Sequence, residues 1–280
     1  MNDQHVYLNG QLVPASSASV SVFDVGLLHG ASVFTTMLAH NGKVFRLDQH
    51  IARLKTTADD ISMAVECDHD HLVDAVGGVL QANSLTSARV RITLTPGAVR
   101  SRGSTVLVTA DELPEYPDEP LDVIVTGMKQ PAGDLTAGRK TGCYLPRIAA
   151  MQEASQHGAH EALWFTHDQR LAEACFSNVF LVTNGELTTP DLLTPVLPGI
   201  IRQVAIDLAG KLGIPCSEKS LSIDDMLAGD EVFLTSSCAG IRPIGKIEQH
   251  IVGERNCGPV TQQIMAAYRE LLETECPKAP

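Results

Sequence analysis

No excess of positive charge runs through this sequence: 21 lysines and arginines stand against 33 aspartates and glutamates, a formal charge of −12. Nucleic acid and anionic membrane surfaces are gripped by basic patches, so both are poor partners for it. No apolar run approaches the length of a membrane span, and the amino-terminal MNDQHVYLNG has neither the basic nor the apolar region of a signal peptide. The expected location is the cytoplasm. The seven cysteines (67, 143, 175, 216, 238, 257 and 276) include no C-x-x-C pair. An odd, scattered set suits reduced thiols better than a disulfide framework or structural zinc. The nearest approach to a metal-ligand cluster is Cys67-Asp-His-Asp-His71, but it runs straight into the apolar pattern Leu72, Val73, Val76, Val79, Leu80. Asp and His there read as a polar loop and helix start, favoured by backbone capping, and no metal is expected. Internal repeats and low-complexity segments are absent as well.

What is present is ordinary globular composition, 44% hydrophobic and 19% charged, in 280 residues, enough for two modest domains each with its own core. Residues 6–8, the turn Asn9-Gly10 and residues 11–13 read as a hairpin. Residues 20–23 read as a short strand, 33–38 as a strand with His40-Asn-Gly42 as its turn, and 44–46 as the return. A helix starts at Asp48 with Ile51, Leu54, Ala58 and Ile61 on one face, and a second covers 70–81. Residues 88–95 alternate strongly and pair with 105–109. The acidic stretch 111–120, DELPEYPDEP, carries three prolines and is the best linker candidate. It divides the chain into domain 1–110 and a larger domain 121–280.

Beyond the linker, residues 123–126 read as a strand and a loop over 128–138 leads to Lys140. Tyr144, Leu145, Ile148, Ala149 and Met151 then fall near helical spacing. Two apolar runs, 161–166 and 178–183, read as strands, and between them Glu173 sits in Ala-Glu-Ala-Cys, a poor composition for a solvated loop. Residues 186–189 follow a second Asn-Gly turn. Ile201, Val204, Ala205, Leu208 and Leu212 repeat at helical spacing until Gly213, so Gly199 lies at a helix start, where free amides and the dipole favour an anion. A final amphipathic helix spans 260–273 and is expected to pack on the larger domain. Taken alone, these features stay open. A lysine before a helix is most often a solvated residue, a glutamate among apolar residues a salt-bridge partner, and Pro-Gly an ordinary helix start.

Several separated motifs, in order, narrow the reading. They are His50-x-x-Arg53-Leu54, Lys140-Thr-Gly-Cys-Tyr-Leu-Pro-Arg-Ile-Ala-Ala-Met-Gln-Glu-Ala154, Gly158-x-x-Glu161-Ala162, Glu173-x-x-x-x-Asn178-x-Phe180, Leu197-Pro-Gly-Ile-Ile-Arg202, and Ala228-Gly-Asp-Glu231-Val-Phe running to Ile244. Over residues 7–247 the chain resembles the class IV aminotransferases. These are the fold-type IV pyridoxal-phosphate (PLP) enzymes: branched-chain and D-amino-acid aminotransferases and aminodeoxychorismate lyase. The fold that the resemblance implies is α/β (α+β), two α/β domains with PLP in the interdomain cleft, in a homodimer whose active sites are completed by the neighbouring subunit's loop.

The resemblance also implies roles. Lys140 would bind PLP as a Schiff base and then act as general base, and Glu173 would keep the pyridine nitrogen protonated. Arg53 would bind the phosphate through its planar fork, together with Ser237, its neighbour Ser236, and the amides of Gly199, Ile200 and Ile201. Tyr144 would hydrogen-bond near the cofactor. Thr36, Cys238 and Ala239 would face the substrate. In D-amino-acid aminotransferases a basic loop grips the substrate carboxylate; Arg100 and Arg102 fall in that region here, in a register offset from the family's, and two loop arginines also suit solvent.

The implied activity is transfer of an amino group between an amino acid and a 2-oxo acid. The alternative is the lyase, which releases pyruvate and 4-aminobenzoate from aminodeoxychorismate. Phe34-Thr35-Thr36 stands where branched-chain enzymes carry Phe-Glu-Gly and some lyases carry Phe-Thr-Thr. Ser236-Ser237 resembles the Ser-Thr of D-amino-acid aminotransferases and replaces an Asn that the lyases tend to have. The aminotransferase is expected. A PLP-free binding scaffold is disfavoured because Lys140, Glu173 and Arg53 are all retained.

Overall fold

The structure, a computed structural model, describes residues 4–65, 68–99, 103–117, 119–131 and 133–278. Two compact units emerge: Met1–Glu115 with Lys140–Cys143 and Leu272–Pro280, and Tyr116–Arg139 with Tyr144–Leu271.

The first unit opens with the hairpin β1 (His5–Leu8) and β2 (Gln11–Pro14), joined by Asn9 and Gly10, both at positive φ as a tight hairpin turn requires. A short helix α1 (Val25–His29) follows, then β3 (Val33–His40), β4 (Lys43–Val44), α2 (Leu47–Asp60), α3 (His69–Ala82), β5 (Ala88–Thr95) and β6 (Thr105–Glu112). The strands form one antiparallel sheet in the order β2-β1-β6-β5-β3-β4. Strand periodicity turns Val33, Met37, Val90, Ile92 and Leu94 to one face, where they meet Ile51, Leu54 and Ala58 of α2 and Leu72, Val76 and Val79 of α3 in one core. The opposite face is left for Phe34, Thr36 and Arg91.

Two readings of this region are corrected. Residues 20–23 form no strand; the chain there turns into Asp24, whose buried carboxylate accepts from Gly26 N and from the hydroxyls of Thr95 and Thr105, and so starts α1. Asp111 and Glu112 belong to β6 and not to a linker, because Asp111 pairs with Arg89 across the sheet in both register and charge.

The second unit comprises β7 (Leu121–Gln130), α4 (Leu145–Gln156), β8 (Glu161–Thr166), β9 (Leu171–Ala174), β10 (Asn178–Thr183), β11 (Glu186–Pro190), α5 (Ile200–Leu212), β12 (Cys216–Lys219), α6 (Ile223–Leu227), β13 (Glu231–Ser236), β14 (Gly240–Ile247), β15 (His250–Ile251) and most of α7 (Pro259–Glu275). They build a nine-stranded mixed sheet in the order β12-β11-β10-β13-β14-β7-β8-β9, with β15 on β14. β7 runs on through Met128, which sequence reading gave to the loop before Lys140. β9, α6, β12 and β15 are further elements that sequence patterning did not show.

Parallel neighbours cannot be joined by a hairpin, so β7 and β8 are linked by a crossover through α4. Lys140–Cys143 lie in that crossover yet count with the first unit, because Phe34 N donates to Lys140 O, Gly142 N donates to Ser32 O, and Val33 pairs with Thr141. Residues Leu272–Pro280, at the end of the last helix, also count with the first unit. Among the described residues no helix is long and apolar enough to cross a membrane, and no cluster of His, Cys, Asp and Glu could hold a metal ion.

Candidate active site

In the first unit the chain brings Lys140 and Arg53 to adjacent residues of β3. The Lys140 Nζ lies 4.7 Å from the centre of the Phe34 ring, and the Arg91 guanidinium 3.6 Å from it. Thr36, two residues on, shares that face and stands opposite Arg91 in the sheet register. Thr35 turns the other way, toward α2. Its hydroxyl accepts from Arg53 Nη2 at 3.4 Å, which leaves its O–H for His50 Nδ1 at 2.8 Å. Thr35 and His50 are both buried. Burial, followed by the nearby cations Arg53 and Lys140, holds His50 well below the ordinary histidine range, so it is neutral at pH 7. His50 and Arg53 thus form one hydrogen-bonded unit through Thr35. Sequence reasoning quoted all three residues but gave a role to Arg53 alone. Arg100 and Arg102 lie outside the described residues.

In the second unit, Glu173 is buried on β9, with every residue of that strand buried beside it. Its Oε1 takes Arg147 Nη2 at 2.5 Å and its Oε2 takes Leu197 N at 3.0 Å. Asn178, at the start of β10, donates Nδ2 to Leu197 O at 2.9 Å. The backbone of Leu197 is therefore held by Glu173 on its N–H and by Asn178 on its carbonyl. That is the physical content of the Glu173-x-x-x-x-Asn178 spacing, since both side chains fasten the chain just ahead of α5. A side chain at Gly199 would overlap the Asn178 oxygen, so the glycine is required by close approach. Gly199 is the N-cap of α5; no side chain caps the helix there and its first turn holds no acidic residue. The amides of Ile200 and Ile201 open a helix of 13 residues whose first turn carries no acidic residue.

The same strand ends carry the remaining residues. Asn178 pairs with Thr235 in the sheet, so Ser236 and the turn Ser237, Cys238, Ala239 between β13 and β14 continue from that point. Gly240 closes the turn at positive φ against the Tyr268 ring. Tyr144 is the N-cap of α4 and stacks on Phe176 with ring centres 5.9 Å apart. Arg147 is held above the ordinary arginine range: burial, the largest cause, pulls it down, but Glu173 together with Tyr144 and Cys175 more than offsets it. Behind it, burial pushes Glu161 up to about 7 and the Cys175 thiol up to about 12. Neither Arg147 nor Asn178 was assigned a role from sequence; each is visible only once its partner on another element is known.

Comparison with known proteins gives the family and the fold. The model of the family amino-transferase class IV matches residues 32–247. The branched-chain-amino-acid aminotransferase of Salmonella typhimurium (strain LT2) is 32% identical, over 97% of this chain and 94% of its own length. A crystal structure of the T.th. branched-chain amino acid aminotransferase complexed with N-(5'-phosphopyridoxyl)-L-glutamate superposes with a TM-score of 0.91 at 26% identity, covering 100% of this chain and 96% of that one. A structure of a putative 4-amino-4-deoxychorismate lyase from Legionella pneumophila, 24% identical with a TM-score of 0.85 over 91% of this chain and 96% of that one, shares the fold.

Proposed function

Because the chain belongs to the class IV aminotransferases, we propose that it moves the amino group of a branched-chain L-amino acid to a 2-oxo acid, using PLP and Lys140. The carrying observation is the fastening of Leu197 by Glu173 and Asn178. One backbone residue ties a buried carboxylate to an uncapped helix N-terminus, and a pyridine nitrogen and a phosphate of one cofactor ask for that pair.

The residues fit PLP. A carboxylate has about four lone-pair positions, so Glu173, with one donor on each oxygen, retains capacity for a ring N–H. The amides of Gly199, Ile200 and Ile201 suit a phosphate, with the Ser237 hydroxyl and Ser236 next to it in the turn. Arg53, locked by Thr35, supplies a charged fork suited to a phosphate. Bound PLP supplies an electron sink for the bonds at the amino acid's Cα.

The chain's own part is binding and proton handling. The Lys140 amine would hold the cofactor and serve as general base toward the amino acid's Cα proton. Glu173 accepts the ring N–H. Tyr144, set on Phe176, would hydrogen-bond near the cofactor. Thr36, Cys238 and Ala239 face the substrate. Arg91, placed on the Phe34 ring beside Lys140, is a cation suited to a carboxylate, a role that Arg100 and Arg102 share in this reading.

We assign the working form to a homodimer in the cytoplasm. Val22, Phe23, Leu27, Leu28 and Val99 are exposed apolar residues of the first unit, and the Asp24–Ala98 bridge gathers their two segments into one patch. Cysteines 143, 175, 216, 238, 257 and 276 are free thiols, as a reducing compartment would leave them.

The test is steady-state turnover with 2-oxoglutarate and L-leucine, L-glutamate or D-alanine as donor, beside a pyruvate assay on aminodeoxychorismate. Turnover with L-leucine well above D-alanine is expected. Pyruvate release without amino transfer would overturn the assignment in favour of the lyase.

A further inference from the structure

Arg147 has no part in the roles given so far, yet its guanidinium is committed to one place. Nη2 donates to Glu173 Oε1 at 2.5 Å and to Gln130 Oε1 at 3.2 Å. Nη1 donates to the carbonyls of Ala174 at 2.7 Å and Cys175 at 3.2 Å. The guanidinium also lies 5.3 Å from the Trp164 ring centre. The side chains of Arg147 and Glu173 are 14% and 6% exposed, so this pair is largely removed from solvent screening. A surface pair would carry no such argument.

Resting on the reading that Glu173 receives the cofactor's ring nitrogen, we propose that Arg147 is a positioning residue that keeps the proton shared by that pair on the nitrogen. One proton can be placed in two ways: carboxylate with protonated ring, or carboxylic acid with neutral ring. In a site this dry, desolvation favours the uncharged arrangement. A guanidinium 2.5 Å from Glu173 reverses the preference. It attracts the carboxylate more strongly than it repels the ring charge on the carboxylate's far side, because the interaction falls with distance. The ring withdraws electrons well only with its nitrogen protonated, so a residue on α4 that touches neither substrate nor cofactor sets the strength of the electron sink.

The other titratable groups around Arg147 are Tyr144, Cys175 and, beyond Cys175, Glu161. Cys175 is a neutral thiol at pH 7. Glu161 changes charge near neutrality, so variants are compared at one pH below its midpoint.

The experiment is nitrogen NMR of the holoenzyme loaded with PLP labelled at the ring nitrogen. Wild type and Arg147→Lys, which keeps a cation, are expected at the protonated position. Arg147→Met is expected to move most of the way to the unprotonated position, a change that loss of packing alone would not give. If the Met variant does not fold, Arg147→Gln keeps a donor without the charge and carries the same expectation. A wild-type shift in the uncharged variant, or an unprotonated one in Arg147→Lys, would overturn the proposal. Glu173→Gln separates the underlying reading: it should move to the unprotonated position, and a wild-type shift there would show that Glu173 is not the ring nitrogen's partner.

Discussion

In the first unit, three cations (Lys140, Arg53 and Arg91) stand around Phe34 and Thr35, and the titratable group among them, His50, is held neutral by burial and by two of those cations. In the second, the central charge is a carboxylate, Glu173, matched by the half-buried Arg147 and by the backbone amide of Leu197. The first arrangement is made for anions brought by a ligand, since its positive charges are set by hydroxyls and rings. The second is suited to accept a proton-bearing ring and presents helix amides. The cations of the first suit a phosphate, and the carboxylate of the second suits a basic ring nitrogen.

The contrast breaks most sharply at Lys140. On the proposed roles, Lys140→Ala removes both the attachment point and the general base, and kcat should fall by at least about 10³-fold while the fold persists, read as turnover beside circular dichroism.

A second contrast is in pH. Glu161, in the second unit, has its folded value raised from 4.5 to about 7. The native state therefore keeps a proton that the unfolded chain has lost. Stability present below pH 4.5 falls as pH rises through about 7, by up to ~3 kcal/mol. His50, in the first unit, has its folded value lowered, so the unfolded chain binds the extra proton and stability is lost as pH falls below 6.5. Glu161→Gln should remove the alkaline loss and leave the acid one, as read by thermal melts from about pH 5 to about pH 8.

Arg53→Gln should weaken PLP about 30-fold in a fluorescence titration, the equivalent of roughly 2 kcal/mol for a charge-assisted phosphate contact. The smallest effect bears on how Arg53 is held. Thr35→Val leaves His50 without its partner and should cost about 1 kcal/mol in urea unfolding, with part of the Arg53 loss in PLP affinity. Thr36→Val, on the other face, should stay within about 0.5 kcal/mol.

Where a strand has one polar face or a firm turn at its end, its limits were legible: residues 88–95, 161–166 and 178–183 begin and end where alternation and apolar runs indicate. Residues 20–23 misled because Val20, Val22 and Phe23 look like strand residues, while their conformation is decided by Asp24 and its threonine partners far along the chain. β9 has no alternation to read, since all of Leu171–Ala174 is buried. At the site, Lys140, Glu173 and Gly199 stood out through motifs. Thr35 and His50 did not, because a buried hydroxyl between a histidine and an arginine is a tertiary fact. Arg147 sits in a helix with no local sign of its partner on β9, and only the fold brings the two charges together.

Every role proposed for the other residues presumes that Lys140 holds PLP. The direct measurement is borohydride reduction of the PLP-loaded protein, followed by digestion and mass spectrometry of the labelled peptide. One reduced phosphopyridoxyl group per chain is expected, on Lys140. A label on another lysine, or a loaded protein that takes up no label on Lys140, would contradict the assignment.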